Sequence, residues 1–189
     1  MTRYFISIGN IIIDDIILPD GSSRMGTLGG GATHAVMGMR VWSEQVGLVT
    51  PVGADFGGDQ LAALAERFDL HGLVVRPHDP TPRAWQLFET DGTRNEVFRT
   101  SYEGMAAMNP QPEDLPAFYE QLAAEGATEI LSIHIAVKLS AVVEMAAQGA
   151  KETRTVPVTP LASGLHRNAA AAPTSAASRG TFKGLLAAT

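Results

Sequence analysis

The 189-residue sequence contains no cysteine, so disulfides, cysteine-based zinc sites and thiol nucleophiles are excluded. Its formal net charge is -6, because 20 acidic residues outnumber 14 lysines and arginines. Nucleic-acid binding as a main function needs the opposite balance. No apolar run is long enough to cross a bilayer, and residues 1–5 lack the basic start of a signal peptide. We therefore expect a cytoplasmic protein with neither nucleic acid nor a membrane as its partner.

Acidic residues are missing from the last part of the chain. All 20 lie at or before Glu152, whereas Ala, Ser, Thr and Pro accumulate in residues 153–189. Such a composition lacks the periodicity of a packed element. We expect residues 1–152 to form a partial α/β domain and residues 153–189 a disordered tail. This tail is either natural or the product of truncation or a reading-frame change.

Short apolar runs alternate with helical patterns between residues 4 and 152. The predicted strands are 4–9, 46–50, 73–76 and 129–135, and the predicted helices are 32–42, 60–68, 115–125 and 139–151. This alternation is typical of a mostly parallel sheet with crossover helices. Further β structure is expected near residues 11–25 and 84–100, where β-branched residues and an Asp91-Gly92 turn indicate a small β lid. We expect Trp85, Leu87 and Phe98 to make one face of this lid partly apolar.

The first motif is Gly9-Asn10-x-x-x-Asp14, directly after a buried strand. An amide and a carboxylate there could bind vicinal hydroxyls, since Asp accepts hydrogen bonds and Asn both accepts and donates. Aspartates at strand ends also form turns and caps, so the motif alone does not decide between these roles.

The second motif is a run of glycines, residues 29–31, before a predicted helix. It is either a flexible helix start or a place where free amides attract a ligand oxygen. Neither a dinucleotide fingerprint nor a P-loop fits it. In the third motif, Gly53-x-Asp55-x-x-Gly58, Asp55 is expected to cap the next helix or fasten a turn.

In this order and spacing the three motifs resemble the start of the PfkB/ribokinase family of sugar and nucleoside kinases. Residues 81–84 and 91–94 also resemble the stretch in which these proteins build a β lid over the sugar. The similarity covers residues 4 to about 150, and Leu28-Gly29-Gly30-Gly31 followed by Thr33 is closest to fungal-type members. It implies a ribokinase-like α/β fold, incomplete at the C-terminus.

The resemblance implies roles for individual residues. Asn10 and Asp14 match the positions that bind sugar hydroxyls, and Gly29 and Gly30 match the glycine pair beside the sugar, within one residue of register. Thr33 stands where the family usually has Asn, and its hydroxyl reaches less far.

Residues 129–135 add one more candidate. Ser132 and His134 share one face near the end of this strand, where open α/β sheets place ligands. His134 is thus a candidate substrate-binding residue or, alternatively, a core histidine. His71, His78 and His166 show no metal-ligand spacing, and no metal site is predicted.

The family's second signature, Asp-Thr-x-Gly-Ala-Gly-Asp, does not occur in the 189 residues. In the family it supplies the general base and the anion hole for the transferred phosphate. The resemblance therefore implies a substrate-binding half of an ATP- and Mg²⁺-dependent kinase. No catalytic base is assigned, and neither cofactor is expected to bind this chain well. The alternative is a non-catalytic regulatory module that binds a metabolite or dimerises through the lid.

Overall fold

A computed structural model describes residues 2–134, 142–153 and 156–162 of the chain. The strands are β1 (Arg3–Ile8), β2 (Ile12–Ile17), β3 (Ser23–Gly29), β4 (Val46–Gly53), β5 (Leu73–Arg76), β6 (Arg83–Phe88), β7 (Arg94–Phe98), β8 (Glu129–His134) and β9 (Val158–Ala162). The helices are α1 (Gly31–Arg40), α2 (Gly58–Ala65), α3 (Tyr102–Ala107), α4 (Pro116–Ala124) and α5 (Val142–Glu152), with a short 3-10 helix over Pro112–Asp114.

The main sheet has the strand order β5-β4-β1-β8-β9, and its strand pairs are parallel. Parallel neighbours need crossover connections, which the helices between the strands provide. The central strand β1 is apolar on both faces, as is usual for a sheet covered on both sides. The predicted α/β class with a mostly parallel sheet is confirmed.

Alternating residues of the sheet build two hydrophobic clusters. Ile6 and Ile130 pack with residues of α4 and α5, whereas Leu48 packs with residues of α1 and α2. Because side chains alternate along a strand, one strand can serve both clusters, as β4 does through Val49 and Leu48. The two layers of helices thus fix the carboxyl ends of β1 and β4, after which the first and third motifs begin.

A second sheet has the order β3-β2-β6-β7 and contains the segments predicted to form the lid. Its middle pair, β2 and β6, is parallel, and the two outer pairs are antiparallel. Sequence reasoning expected Trp85, Leu87 and Phe98 to share one apolar face. This expectation was wrong for Phe98, which pairs with Ala84, while Trp85 pairs with Val97.

Two strands depart from the prediction. Ser23–Gly29 lies inside the predicted β region only in residues 23–25; it is polar and glycine-rich, and it becomes β3 through its pairing with β2. Val158–Ala162 lies in the expected tail but pairs with β8 as β9, so the tail prediction was wrong for this stretch. The rest of the predicted tail, from residue 163, lies outside the described residues. Within the described ranges, no helix has the length and apolar character needed to span a membrane.

Candidate functional site

Strand β2 places two neighbouring aspartates on opposite faces of the second sheet. Asp14 pairs with Ala84 of β6, and Asp15 pairs with Trp85. Successive strand residues point to opposite sides, so the two carboxylates enter different environments. We refer to these as the Asp14 face and the Asp15 face.

On the Asp14 face the carboxylate lies directly against Gly29. A Cβ at Gly29 would overlap the Asp14 carboxyl group, so no larger residue fits there without moving it. Oδ1 of Asp14 accepts a hydrogen bond from Gln86 Nε2 at 3.0 Å. Asp14 is only half-buried, so a ligand could still reach its remaining lone pairs.

Gly30 links this carboxylate to the start of α1. Its φ of 89° is a conformation that glycine adopts without strain, and a Cβ would collide with Asn10 O and Ile12 N. Gly30 is the N-cap of α1, with no side-chain cap and no acidic residue in the first turn. The structure therefore brings the main chain of Asn10 together with Asp14, Gly29 and Gly30, beside helix amides that carry partial positive charge.

Thr33 and His34 occupy different sides of α1. Thr33 is 3% exposed in the face that packs on the main sheet, and its hydroxyl has no partner among the described residues. His34 is exposed, and its Nδ1 lies 2.8 Å from the Gly30 carbonyl oxygen. A carbonyl only accepts, so Nδ1 is the donor in this hydrogen bond.

His34 is one neighbour of the candidate site that sequence reasoning missed, and its charge acts on Asp14. It follows Thr33 by one position, within the stated register uncertainty of the glycine motif. The signal was available in the helical pattern, because buried Ala32, Val36 and Met39 leave position 34 on the outer side.

The pKa of Asp14 is raised above its usual range, chiefly because burial disfavours the carboxylate. The Gln86 hydrogen bond opposes this shift, the Glu96 carboxylate adds to it, and the cations His34 and Arg94 oppose it. A partly desolvated carboxylate with few fixed partners is the kind that binds a ligand hydroxyl.

The Asp15 face is arranged differently. Asp15 is fully buried. Its carboxylate accepts hydrogen bonds from Nε and Nη2 of Arg83, both at 2.7 Å, from Nη1 of Arg99 at 3.1 Å and from the Gly26 amide at 2.9 Å. Hydrogen bonding to Arg83 is the main cause that lowers the pKa of Asp15 to about 2, against the effect of burial. The Arg99 guanidinium also lies 5.6 Å from the centre of the Trp85 ring.

A cavity of about 330 Å³ opens on this second face, lined in part by Arg83, Arg99 and Asp55. Both arginines are already paired with Asp15, and Asp55 Oδ1 accepts from the amide and the hydroxyl of Thr81 at 2.8 Å. Asp55 thus fastens the loop after β4, as predicted, while the N-cap of α2 is Gly57.

His134 lies in the layer covered by α4 and α5. It is 4% exposed, and its Nε2 is 2.8 Å from the Ser132 hydroxyl. Burial lowers the pKa of His134 to about 4 and raises that of nearby Tyr119 above its usual range. No described contact joins His134 to Asp14 or Gly29, so its substrate role stays a prediction.

Asp69, His71 and Glu125 bring ligand atoms within 4.8 Å of one another. Sequence spacing gave no sign of this cluster, because Glu125 comes from the end of α4. The 2.9 Å ion pair between His71 Nδ1 and Asp69 Oδ1 accounts for the arrangement, and we assign no metal to it.

A family described as DegV, an uncharacterised protein family, matches residues 91–183. This match begins in the β6–β7 turn and ends beyond the described residues. It leaves out the motifs between residues 9 and 58 that form the Asp14 face.

Curated proteins also match the chain. A cytidine kinase of Thermococcus kodakarensis is 33% identical over 109 residues, which are 58% of this chain and 38% of that protein. An uncharacterised protein of Schizosaccharomyces pombe is 35% identical over 101 residues, 50% of this chain and 26% of that protein. The chain therefore spans well under half the length of these relatives.

Solved structures share the fold. A protein described as ribokinase II from E. coli, in complex with ATP and Mg²⁺, has a TM-score of 0.57 and 16% identity over 85% of this chain and 53% of its own. Structures of ribokinase, fructokinase and PfkB proteins have comparable scores. These similarities define the chain as a ribokinase-like α/β protein. Together with the cytidine kinase match, they support the resemblance to the PfkB/ribokinase family of carbohydrate kinases that the sequence motifs indicate.

Proposed function

We propose that the Asp14 face is the acceptor-binding site of a PfkB-type kinase, whose acceptor is a hydroxyl of a sugar or nucleoside. The observation that carries this proposal is the contact of Asp14 with Gly29, beside the uncapped start of α1. A carboxylate accepts from hydroxyls, and helix amides donate to ligand oxygens, so a polyhydroxylated ligand satisfies both. We further propose a cytoplasmic location, which fits the absence of cysteine.

Binding at this site should be weak. A neutral hydrogen bond contributes about 0.5–1.5 kcal/mol after exchange with water, and one to a charged group about 1.5–3 kcal/mol. Asn10, Asp14 and the α1 amides offer only a few such bonds. A dissociation constant in the millimolar range corresponds to about -4 kcal/mol, which these contacts could supply.

We also propose that the 189-residue protein does not transfer phosphate. Phosphoryl transfer relies on positioning and on stabilising charge at the transferred group. Protein-bound Mg²⁺ uses carboxylates together with substrate phosphates. Of the described carboxylates around the site, Asp15 is already engaged by Arg83 and Arg99, Glu96 accepts from Gln86, and Asp14 faces the proposed acceptor. These residues do not fit ATP and Mg²⁺, so we derive no step through them.

Calorimetry with cytidine, ribose and fructose tests the binding proposal, because the cytidine kinase and the ribokinase-like structures suggest these acceptors. We expect millimolar binding of at least one, lost in Asp14→Asn and kept in Asp91→Asn, which alters an exposed turn. Equal binding by wild type and Asp14→Asn would contradict the site. ATP turnover above background that disappears in Asp14→Asn would overturn the claim of inactivity while supporting the site.

A second candidate is a non-catalytic module that binds a metabolite or forms a homodimer. It is favoured by the exposure of every residue of the edge strand β7, including apolar Val97 and Phe98. Unpaired strand edges invite pairing with another chain. Dimerisation that strengthens when an acceptor is added would favour this module over a kinase part.

A further inference from the structure

Gln86 lies buried between two carboxylates on the Asp14 face. Its Nε2 is 3.0 Å from Asp14 Oδ1 and 2.6 Å from Glu96 Oε1. Carboxylates only accept, so both amide hydrogens of Gln86 are used, and this fixes which way the amide points. Its Oε1 is left buried with no hydrogen-bond partner among the described residues.

Strand pairing explains why one amide reaches both carboxylates. Strand β6 lies between β2 and β7, with Gln86 directly opposite Glu96 and diagonal to Asp14 across the parallel pair. The Gln86 side chain is only 4% exposed, so its neighbours leave it little freedom to turn away. Asp14 is therefore held by Gln86 on one side and by contact with Gly29 on the other.

We propose that Gln86 is a positioning residue, which holds Asp14 in its acceptor-binding orientation and couples that carboxylate to Glu96. The binding part rests on the proposed function, whereas the coupling between the two carboxylates does not depend on any ligand.

The charged and titratable groups that act on Asp14 come from two elements. Glu96 and Arg94 lie on β7, and His34 lies on α1. Hydrogen bonding to Gln86 stabilises the Asp14 carboxylate, while the Glu96 charge destabilises it. Removing Gln86 and removing Glu96 should therefore change the proton affinity of Asp14 in opposite directions.

The test is the titration of the Asp14 carboxyl group by ¹³C NMR in the ligand-free 189-residue protein. In Gln86→Leu the pKa of Asp14 should rise, because the hydrogen bond is lost and Glu96 remains. In Glu96→Gln it should fall, because a like charge is lost. Gln121→Leu, which removes an amide–carboxylate pair on the exposed side of α4, should leave it unchanged.

Glu96 is exposed, so Glu96→Gln tests the coupling even if Gln86→Leu fails to fold. Shifts of Asp14 in the same direction in both variants, or an unchanged Asp14 in Glu96→Gln, would overturn the proposal. Cytidine or ribose binding should weaken roughly tenfold in Gln86→Leu at neutral pH. If the wild type binds no acceptor but the two opposite shifts are seen, the proposed function fails and the coupling stands.

Discussion

Asp14 and Asp15 are neighbours in the sequence and opposites in the structure. Asp15 is fully buried, and two arginines and a backbone amide saturate it, so its pKa falls to about 2. Asp14 is half-buried, has one side-chain hydrogen bond and lies against a glycine, and its pKa is raised. The same residue type thus stabilises the sheet on one face and remains available to a ligand on the other.

The difference shows how a structural carboxylate can be told from a binding one. A buried charge is tolerated when its hydrogen-bonding capacity is filled, and Arg83 fills that of Asp15 with a two-point contact. The Asp14 face instead collects incomplete groups, namely the uncapped α1 amides and the unpaired Gln86 Oε1. This difference is the reason why we propose the acceptor site on the Asp14 face.

Removing the ion pairs of Asp15 should have the largest effect on stability. Asp15→Asn leaves Arg83 and Arg99 without their counter-charge, and we expect the free energy of unfolding to fall by about 2–3 kcal/mol. The arginine side chains are 40% and 47% exposed, and their access to water keeps the loss from being larger. Urea denaturation measures this change in stability. A smaller loss of stability in Asp15→Asn than in Asp14→Asn would contradict the roles that we assign to the two aspartates.

Changing the Asp14 face should affect binding and leave folding almost intact. Asp14→Asn keeps the size of the side chain but removes the charge, so acceptor affinity should fall at least tenfold, by about 1.5 kcal/mol or more. Calorimetry measures the affinity, and urea denaturation should show little change in the free energy of unfolding. A large loss of stability would mean that Asp14 is structural after all.

His134 provides a second contrast with Asp15. It is buried with no counter-charge, whereas Asp15 is paired with two arginines. Its folded pKa of about 4 lies below the ordinary value of 6.5, so between these pH values the unfolded state binds the proton and the folded state does not. Stability should therefore fall as the pH drops from about 6.5 to 4, by up to about 1.4 kcal/mol per pH unit.

In His134→Gln this acid sensitivity should be reduced, because Gln does not titrate. The measurement is urea denaturation at several pH values between 4 and 7. If the free energy of unfolding depends on pH equally in wild type and variant, a residue other than His134 causes the acid sensitivity. The loss of the Asp15 contribution should appear only lower, as the pH falls from about 4 toward 2.

The smallest effect concerns the edge of the second sheet. Val97 lies on the Asp15 face and Phe98 on the Asp14 face, and both are about half exposed. We expect weak homodimerisation through β7 at high micromolar concentration, reduced by Val97→Lys, since charges on an edge strand oppose pairing. Sedimentation velocity measures it, and a monomer at all concentrations would contradict this prediction.

Much of the main sheet could be predicted, because its strands are apolar runs bounded by turns and helices. In the second sheet, the full extent of β3 could not be predicted, since Ser23–Gly29 has no apolar alternation and depends on pairing with β2. Strand β9 was not predicted, because it lies in the part of the chain whose composition lacks the periodicity of a packed element. It includes Pro160, which an outer strand tolerates because one of its sides needs no ladder bond.

The candidate site was predictable only where a motif is local. Asn10, Asp14, Gly29 and Gly30 belong to two short motifs, and the structure brings these motifs together. Gln86 is 72 positions from Asp14, and only the parallel pairing of β2 and β6 makes them neighbours. No sequence pattern could have shown that contact.

The most direct test follows the carboxyl ¹³C signals of Asp14 and Asp15 in one sample while cytidine or ribose is added. The two residues share the same strand, so each serves as a control for the other. Our account predicts that the Asp14 signal moves with the acceptor and that of Asp15 does not. Movement of Asp15 alone, or calorimetric binding that leaves Asp14 unmoved, would contradict it.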